Sequence, residues 1–97
     1  MEPIELLKER LAELNSLISN IKLTEDRFNQ RLEVILVNNY IISVINGRGA
    51  ICDHKTFEVA VLDQNYEMDY TLFDDVLGLG YQSIEDVMEL IKKVATI

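Results

Sequence analysis

The stretch IELLKERLAELNSLISNI, residues 4–21, decides how the first part of the chain folds. Its apolar residues recur at steps of three and four, which is the a/d spacing of a heptad seam. Pro3 precedes the stretch, where the first turn of a helix tolerates proline. The pattern therefore predicts a helix from Pro3 to about Asn20. The seam residues are Ile4, Leu7, Leu11, Leu14, Ile18 and Ile21.

The predicted helix has two alternative ends. Phe28 and Leu32 return to the seam, and no Gly or Pro interrupts the register, which favours one helix to about residue 33. The alternative is a break at Leu23–Thr24, with Thr24 capping a second short helix.

A seam this regular needs a surface to pack on, either the rest of the chain or a second copy. We assign residues 1–31 to a heptad helix used for assembly, with the six seam residues as the oligomer interface. Self-association into a dimer or larger assembly is then expected. In the alternative, both helices of a monomer pack on one face of its sheet.

From Leu32 the period changes from that of a helix to that of strands. Two β-branched runs flank Asn38-Asn39, a pair that tolerates positive φ and predicts a tight hairpin. Thr56–Leu62 alternates and predicts a third strand, with its apolar residues on one face. Glu67–Leu72 is expected to return as a short fourth strand, and Asp74–Tyr81 to be irregular.

The last helix has the clearest start. Ser83 is an expected N-cap, and Asp86 completes a capping box. An apolar face follows, made of Ile84, Val87, Met88, Ile91, Val94 and Ala95. The predicted fold is therefore α+β: an N-terminal heptad helix, a three- to four-stranded antiparallel sheet and a capped C-terminal helix, with residues 32–97 carrying the sheet and the last helix.

The composition is that of a folded soluble protein. The 97 residues form a single domain, 1–97, with 48% apolar residues, and one cysteine fits a reducing cytoplasm. No secretory signal or membrane span is expected. The net charge is −8, and residues 53–91 hold ten acidic residues against Lys55 alone. Direct nucleic-acid binding is disfavoured, whereas an acidic surface suits a basic partner.

The residues that could carry catalysis are few. Cys52 and His54 lie two apart in a predicted loop, with no visible oxyanion device. A zinc site needs about four N or S ligands, more than one Cys and one His supply. Asp74-Asp75 is better explained by a turn. We therefore expect no enzyme activity, no cofactor and no metal site.

The candidate ligand-binding residues are basic and aromatic. Arg48, between Gly47 and Gly49, and Lys55 are the only positive charges between Arg31 and Lys92. Such a loop can hold an anion with backbone N–H groups and a guanidinium. Tyrosines add contact area at low entropic cost. The predicted ligand-binding residues are Arg48, Lys55, Tyr40 and Tyr81.

Four blocks carry a family resemblance: NYIISV at residues 39–44, FEVAVLD at 57–63, DDVLG at 74–78, and Tyr81 with SIEDV at 83–87. Through them the region from Asn39 to Val94 resembles small proteins of unknown function encoded by bacteriophages. It departs from them in having Asn39 where they have Gly, and in the insertion of Leu79-Gly80. The resemblance implies a scaffold and an infected bacterial cytoplasm as its setting.

These features lead to two functional hypotheses. The first is a non-enzymatic phage-type accessory protein that oligomerises and binds or inhibits a host component with a basic surface. By analogy with other small phage accessory proteins, that component is expected to belong to host machinery such as antiviral defence. The alternative is a protein that sequesters a small nucleotide-like ligand between subunits, near Arg48 and Lys55.

Overall fold

The computed structural model describes residues 2–50, 52–65, 67 and 79–97. The chain begins with α1 (Pro3–Leu11), followed by a 3-10 helix (Ala12–Leu17). The following strands are β1 (Ile18–Glu25), β2 (Asn29–Leu36), β3 (Ile41–Gly47), β4 (Phe57–Leu62) and β5 (Leu79–Gln82), and α2 (Ile84–Val94) comes last. Within the described residues the strands form one antiparallel sheet in the order β1-β2-β3-β4-β5. The predicted α+β class is confirmed, with more strands than expected.

The predicted N-terminal helix is wrong beyond Leu17. Leu14 already leaves helical geometry, with φ −114° and ψ 21°, and the chain becomes extended at Ile18. Strand β1 (residues 18–25) pairs with β2. This pairing provides hydrogen-bond partners for backbone N–H and C=O groups that would otherwise have bonded within a continued helix.

A β-bulge explains why a helical spacing fits this strand. Ile18 pairs with Leu36, but the next pair is Asn20 with Ile35, so one residue of β1 is extra. The bulge leaves Ile18 and Ile21 on the same face of the sheet, although residues three apart normally face opposite sides of a strand. Apolar residues three apart therefore fit a bulged strand as well as a helix.

The heptad seam packs inside the chain. Ile4, Leu7, Leu11 and Leu14 are between 0% and 8% exposed, and they belong to the same core as α2 and one face of the sheet. Ile18 and Ile21 are half-buried against that core. The seam therefore packs on the rest of its own chain. This agrees with the alternative in which both helices of a monomer pack on one face of its sheet. Self-association itself stays a prediction.

The core lies between the helices and this face of the sheet. It takes every second residue of β2, β3 and β4, in keeping with the strand period. Burying each of the larger aliphatic side chains stabilises the fold by about 1.5–3 kcal/mol. The sheet residues in the core are Leu32, Val34, Leu36, Ile42, Val44, Phe57, Val59 and Val61.

Local signals in the sequence are confirmed at two places. Asn39 adopts φ 73° in the turn between β2 and β3, as the predicted hairpin requires. Ser83 caps α2: its Oγ accepts from the Asp86 N–H at 3.1 Å, and an Asp86 carboxylate oxygen accepts from the Ser83 N–H at 2.9 Å.

Two predictions concern the segment before β5. The predicted strand Glu67–Leu72 and most of the region expected to be irregular, Asp74–Tyr81, lie outside the described residues. Where that region is described, at residues 79–81, it belongs to β5 and pairs with β4, but the pairing is irregular: the register shifts between Leu79 and Gln82, and Tyr81 has φ 55°.

Candidate functional site

Two loops meet at one end of the sheet. They are residues 26–28, between β1 and β2, and the described residues of 48–56, between β3 and β4; together we call them the loop end. The backbone N–H of Arg48 donates to the carbonyl oxygen of Phe28 at 3.0 Å, and the N–H of Gly49 donates to Asn29 Oδ1 at 3.1 Å. These bonds hold Arg48 beside the tip of the first loop.

The first loop is ordered by Asp26. One carboxylate oxygen of Asp26 accepts from the N–H groups of Phe28 and Asn29, both at 2.8 Å. Because these hydrogen bonds favour the charged form, the Phe28 bond most, the pKa of Asp26 is lowered from its ordinary value. The turn leaves Phe28 56% exposed, with the Arg27 guanidinium carbon 5.9 Å from its ring centroid.

The sequence pattern does not single out Arg27 or Phe28 as a candidate binding residue. Phe28 fits the heptad register, so the pattern predicts that it is helical. The signal that could have identified the turn is Asp26 itself, because an Asp side chain readily accepts from the backbone N–H two residues on.

The second loop is held by Asn46. Its side-chain amide donates to the carbonyl oxygens of Thr56 at 2.8 Å and Asp53 at 3.2 Å, which joins the two ends of the loop. The thiol of Cys52 lies in the same network, 3.7 Å from the Asn46 amide nitrogen and 3.6 Å from the carbonyl oxygen of Gly47.

Asp53 is also used within its own loop. Its Oδ1 accepts from the Lys55 N–H at 2.8 Å and from the Thr56 hydroxyl at 3.0 Å. The bond from the Lys55 backbone contributes most to lowering the pKa of this carboxyl group, followed by the Thr56 hydroxyl. The carboxylate therefore shapes the loop in which Arg48 and Lys55 are exposed.

An open depression of about 310 Å³ lies in this loop. Exposed Arg48 and His54 are part of its wall, and exposed Lys55 follows His54 directly. A guanidinium fork and an ammonium group are donors suited to an anionic ligand. The lining residues are Asn46, Gly47, Arg48, Cys52, Asp53 and His54.

The four predicted ligand-binding residues divide between the two ends of the sheet. Arg48 and Lys55 share the loop end, and Tyr81, which is 62% exposed, lies at the same end because the adjacent Gln82 pairs with Phe57. Tyr40 precedes β3, so the length of that strand separates it from Arg48 by about 20 Å. Within one chain, the structure does not bring Tyr40 to the other three.

Tyr40 instead lies beside a second depression, of about 240 Å³, at the hairpin end of the sheet. Its side chain is half-buried and packs against the core. The residues lining this depression are Asn38, Asn39, Tyr40, Asp63, Gln64 and Asn65.

The candidate catalytic and metal-binding groups show no assembled centre. The Cys52 thiol donates to a backbone carbonyl oxygen, and His54 is exposed to solvent. Among the described residues, no three His, Cys, Asp and Glu side chains are grouped so that they could hold a metal ion. Asp74 and Asp75 lie outside the described residues.

A second surface is formed by the outward sides of the two helical segments; we call it the helix surface. Residues 2–17 and 83–97 hold seven acidic and four basic side chains, a net charge of −3. All seven acidic residues are exposed, and Glu89 pairs with Lys92 at 3.2 Å. They are Glu2, Glu5, Glu9, Glu13, Glu85, Asp86 and Glu89.

Arg10 joins the two helical segments of this surface. Its Nη1 lies 2.6 Å from a carboxylate oxygen of Glu85 in α2, and its Nε lies 2.7 Å from one of Glu13. The hydrogen bond to Glu85 is the largest of the effects that raise the pKa of Arg10. Arg10 thus offsets one of the two carboxylate charges that it contacts, and the surface as a whole keeps its net charge of −3.

The described part of the chain contains no helix with the length and apolar character needed to cross a membrane. Comparison with protein-family models, with curated proteins and with solved structures finds no match to this chain.

Proposed function

We propose that this chain is a non-enzymatic binding protein whose helix surface docks on a protein with a basic surface. The observation that carries the proposal is the row of exposed carboxylates spread over two helical segments that Arg10 ties together. The bacteriophage resemblance suggests the setting: an accessory protein in a bacterial cytoplasm that binds or inhibits a host component, such as one of antiviral defence.

The geometry suits electrostatic docking because the acidic groups are fixed relative to one another. The seam residues of α1 and the apolar face of α2 are buried in one core, so the outward faces of the helices keep their relative positions. Complementary charge raises association rates and helps to select a partner, and both effects weaken as salt screens the charges.

Charge-reversal pairs test this proposal. Glu5→Lys with Glu9→Lys changes the helix surface, whereas Glu33→Lys with Glu67→Lys makes the same change in net charge elsewhere. Proteins captured from bacterial lysate by each tagged variant are quantified by mass spectrometry at low and high salt. A partner lost with the first pair, retained with the second and depleted by salt supports the proposal. Equal capture by both pairs would contradict it.

The second candidate function is the binding of a nucleotide-like anion at the loop end. It is favoured by Arg48 and Lys55, which are exposed in one loop, while Asp53 accepts hydrogen bonds from within that loop. A ligand at a hundred times its Kd stabilises a protein by about 2.7 kcal/mol.

Thermal unfolding with a panel of nucleotides tests this candidate. A rise in Tm that Arg48→Ala abolishes and Lys22→Ala preserves would support it, because both variants remove one exposed positive charge. If no nucleotide in the panel raises Tm, the candidate is ruled out for that ligand class.

A further inference from the structure

The outer edge of β1 is an open strand edge. β1 is the first strand in the sheet order, and within the described residues it pairs with β2 alone. It runs for eight residues, and every residue from Lys22 to Glu25 is exposed. A strand edge of this kind presents N–H and C=O groups ready to pair with another strand.

The register identifies which backbone groups face outward. The N–H of Asp26 donates to the carbonyl oxygen of Asn29 at 2.9 Å, so Asp26 and Asn29 form a hydrogen-bonded pair. Hydrogen-bonded and non-hydrogen-bonded pairs alternate along an antiparallel ladder. Lys22 and Thr24 therefore direct their backbone groups toward β2, and Ile21, Leu23 and Glu25 direct theirs toward the open edge. The Ile21 N–H donates there to Oδ1 of its neighbour Asn20 at 2.9 Å, which agrees with this direction and occupies that one donor.

The side chains on this edge favour an apolar contact at Leu23. It lies opposite Leu32, on the helix-bearing face, yet 42% of its surface is exposed because no strand follows beyond β1 in the described sheet. A strand added at this edge would cover the exposed part of the Leu23 side chain.

We propose that β1 pairs antiparallel with β1 of a second copy, with Leu23 opposite Leu23 on a two-fold axis. Three hydrogen-bonded residue pairs then form: Leu23 with its counterpart, and Ile21 with Glu25 in both directions, where the Ile21 N–H exchanges Oδ1 of Asn20 for the carbonyl oxygen of Glu25 of the second copy. The two sheets become one continuous sheet with all four helices on the same face. This interface is independent of the helix surface that the proposed function uses.

The side chains and the bulge of β1 disfavour the neighbouring registers. With the axis at Thr24, Leu23 would lie opposite Glu25 and would lose its apolar contact with a second leucine. Moving the axis to Lys22 would place two Lys22 side chains directly opposite each other, and like charges in that position are destabilising. Moving it to Ile21 would bring the bulge between Ile18 and Asn20 into the pairing. With the axis at Leu23, Lys22 lies opposite Thr24 and the paired segment is the regular part of β1.

Salt distinguishes this interface from docking through the helix surface. Two copies with a net charge of −8 each repel one another, and salt screens that repulsion. The dimer fraction measured by sedimentation velocity is therefore expected to rise with salt, whereas binding to a basic partner falls with salt.

The decisive comparison uses two apolar-to-lysine variants. Leu23→Lys places two positive charges across the axis and should give a monomer, while Ile97→Lys, at a somewhat more exposed apolar residue outside the sheet, should remain dimeric. Circular dichroism checks that both stay folded. A monomeric native chain, or a dimer that Leu23→Lys leaves intact, would overturn the proposal.

Disulfide trapping tests the register. In a Cys52→Ser background, Leu23→Cys brings two thiols opposite each other with Cα atoms about 5.5 Å apart, within the range that a disulfide spans. Mild oxidation should link this variant into a covalent dimer. Thr24→Cys, which faces Lys22 of the other copy, should link at least about tenfold more slowly, and equal rates for the two variants would exclude the register.

Discussion

A side chain at Gly47 would overlap the carbonyl oxygen of Phe28. Gly47 has φ 151°, and a Cβ there would meet backbone atoms of Phe28, at the end of the neighbouring loop, and of Asn29, the first residue of β2. The close approach of these two segments positions Arg48, whose N–H bonds to that same carbonyl group. The absence of a side chain at position 47 is therefore a requirement of the loop end.

We expect Gly47→Ala to lower the free energy of unfolding by about 2–4 kcal/mol, because it adds backbone strain and a clash with main-chain atoms. Gly49→Ala is the matched control. Its Cβ would lie 2.9 Å from the side-chain nitrogen of Asn29, so only a side chain has to shift. The smaller expected loss, about 1 kcal/mol, comes from weakening the bond between the Gly49 N–H and Asn29 Oδ1. Urea denaturation measures both variants, and equal losses would show that the close approach at Gly47 is not what matters.

The seam gives a second prediction, on the core. Leu11→Ala should lower the free energy of unfolding by about 2–5 kcal/mol, because this leucine, the last residue of α1, is fully buried in the core. Leu6→Ala, on the exposed side of the same helix, should cost about 1 kcal/mol or less. Thermal unfolding compares the two. If Leu11→Ala dissociated an assembly without loss of fold, the seam would be an interface between copies after all.

Asn46 should control access to the Cys52 thiol. Asn46→Ala removes the donor to two carbonyl groups of the second loop, at an expected cost of about 1–3 kcal/mol. The loop should then open more often, so a thiol reagent should label Cys52 faster. Asn20→Ala, an exposed asparagine on β1, is the control. An unchanged labelling rate for Asn46→Ala would mean that Asn46 does not order the loop.

Asp26 should make stability depend on pH in acid. Its pKa in the folded state lies below the ordinary 3.8, so its contribution is fully present above that value and is lost as the pH falls through the lower, folded pKa. The stability difference between the native chain and Asp26→Asn should therefore shrink as the pH is lowered from about 5 through this range. Urea midpoints measured at several pH values test this. If the stability difference between the native chain and Asp26→Asn stayed constant with pH, the charge of Asp26 would not be the cause of that difference.

The parts of the fold that sequence predicts correctly are those decided by neighbouring residues. Ser83 and Asp86 form a capping box because the interaction is contained in four consecutive residues. The turn at Asn39 is likewise local, since Asn tolerates positive φ wherever the chain must reverse. Arg48 and Lys55 could be placed together because one loop holds both. Tyr40 could not be excluded from them without knowing the direction of β3.

The sequence by itself determined the α+β class, the capping box of α2, the turn at Asn39, and which residues are apolar enough to form the core. Tertiary structure decided where the first helix ends and what the seam packs on. At Ile18 and Ile21 the spacing suits a helix and a bulged strand equally, so local pattern cannot choose between them. Pairing with β2 chooses the strand, because it joins β1 to the sheet by a ladder of hydrogen bonds while both isoleucines still reach the core.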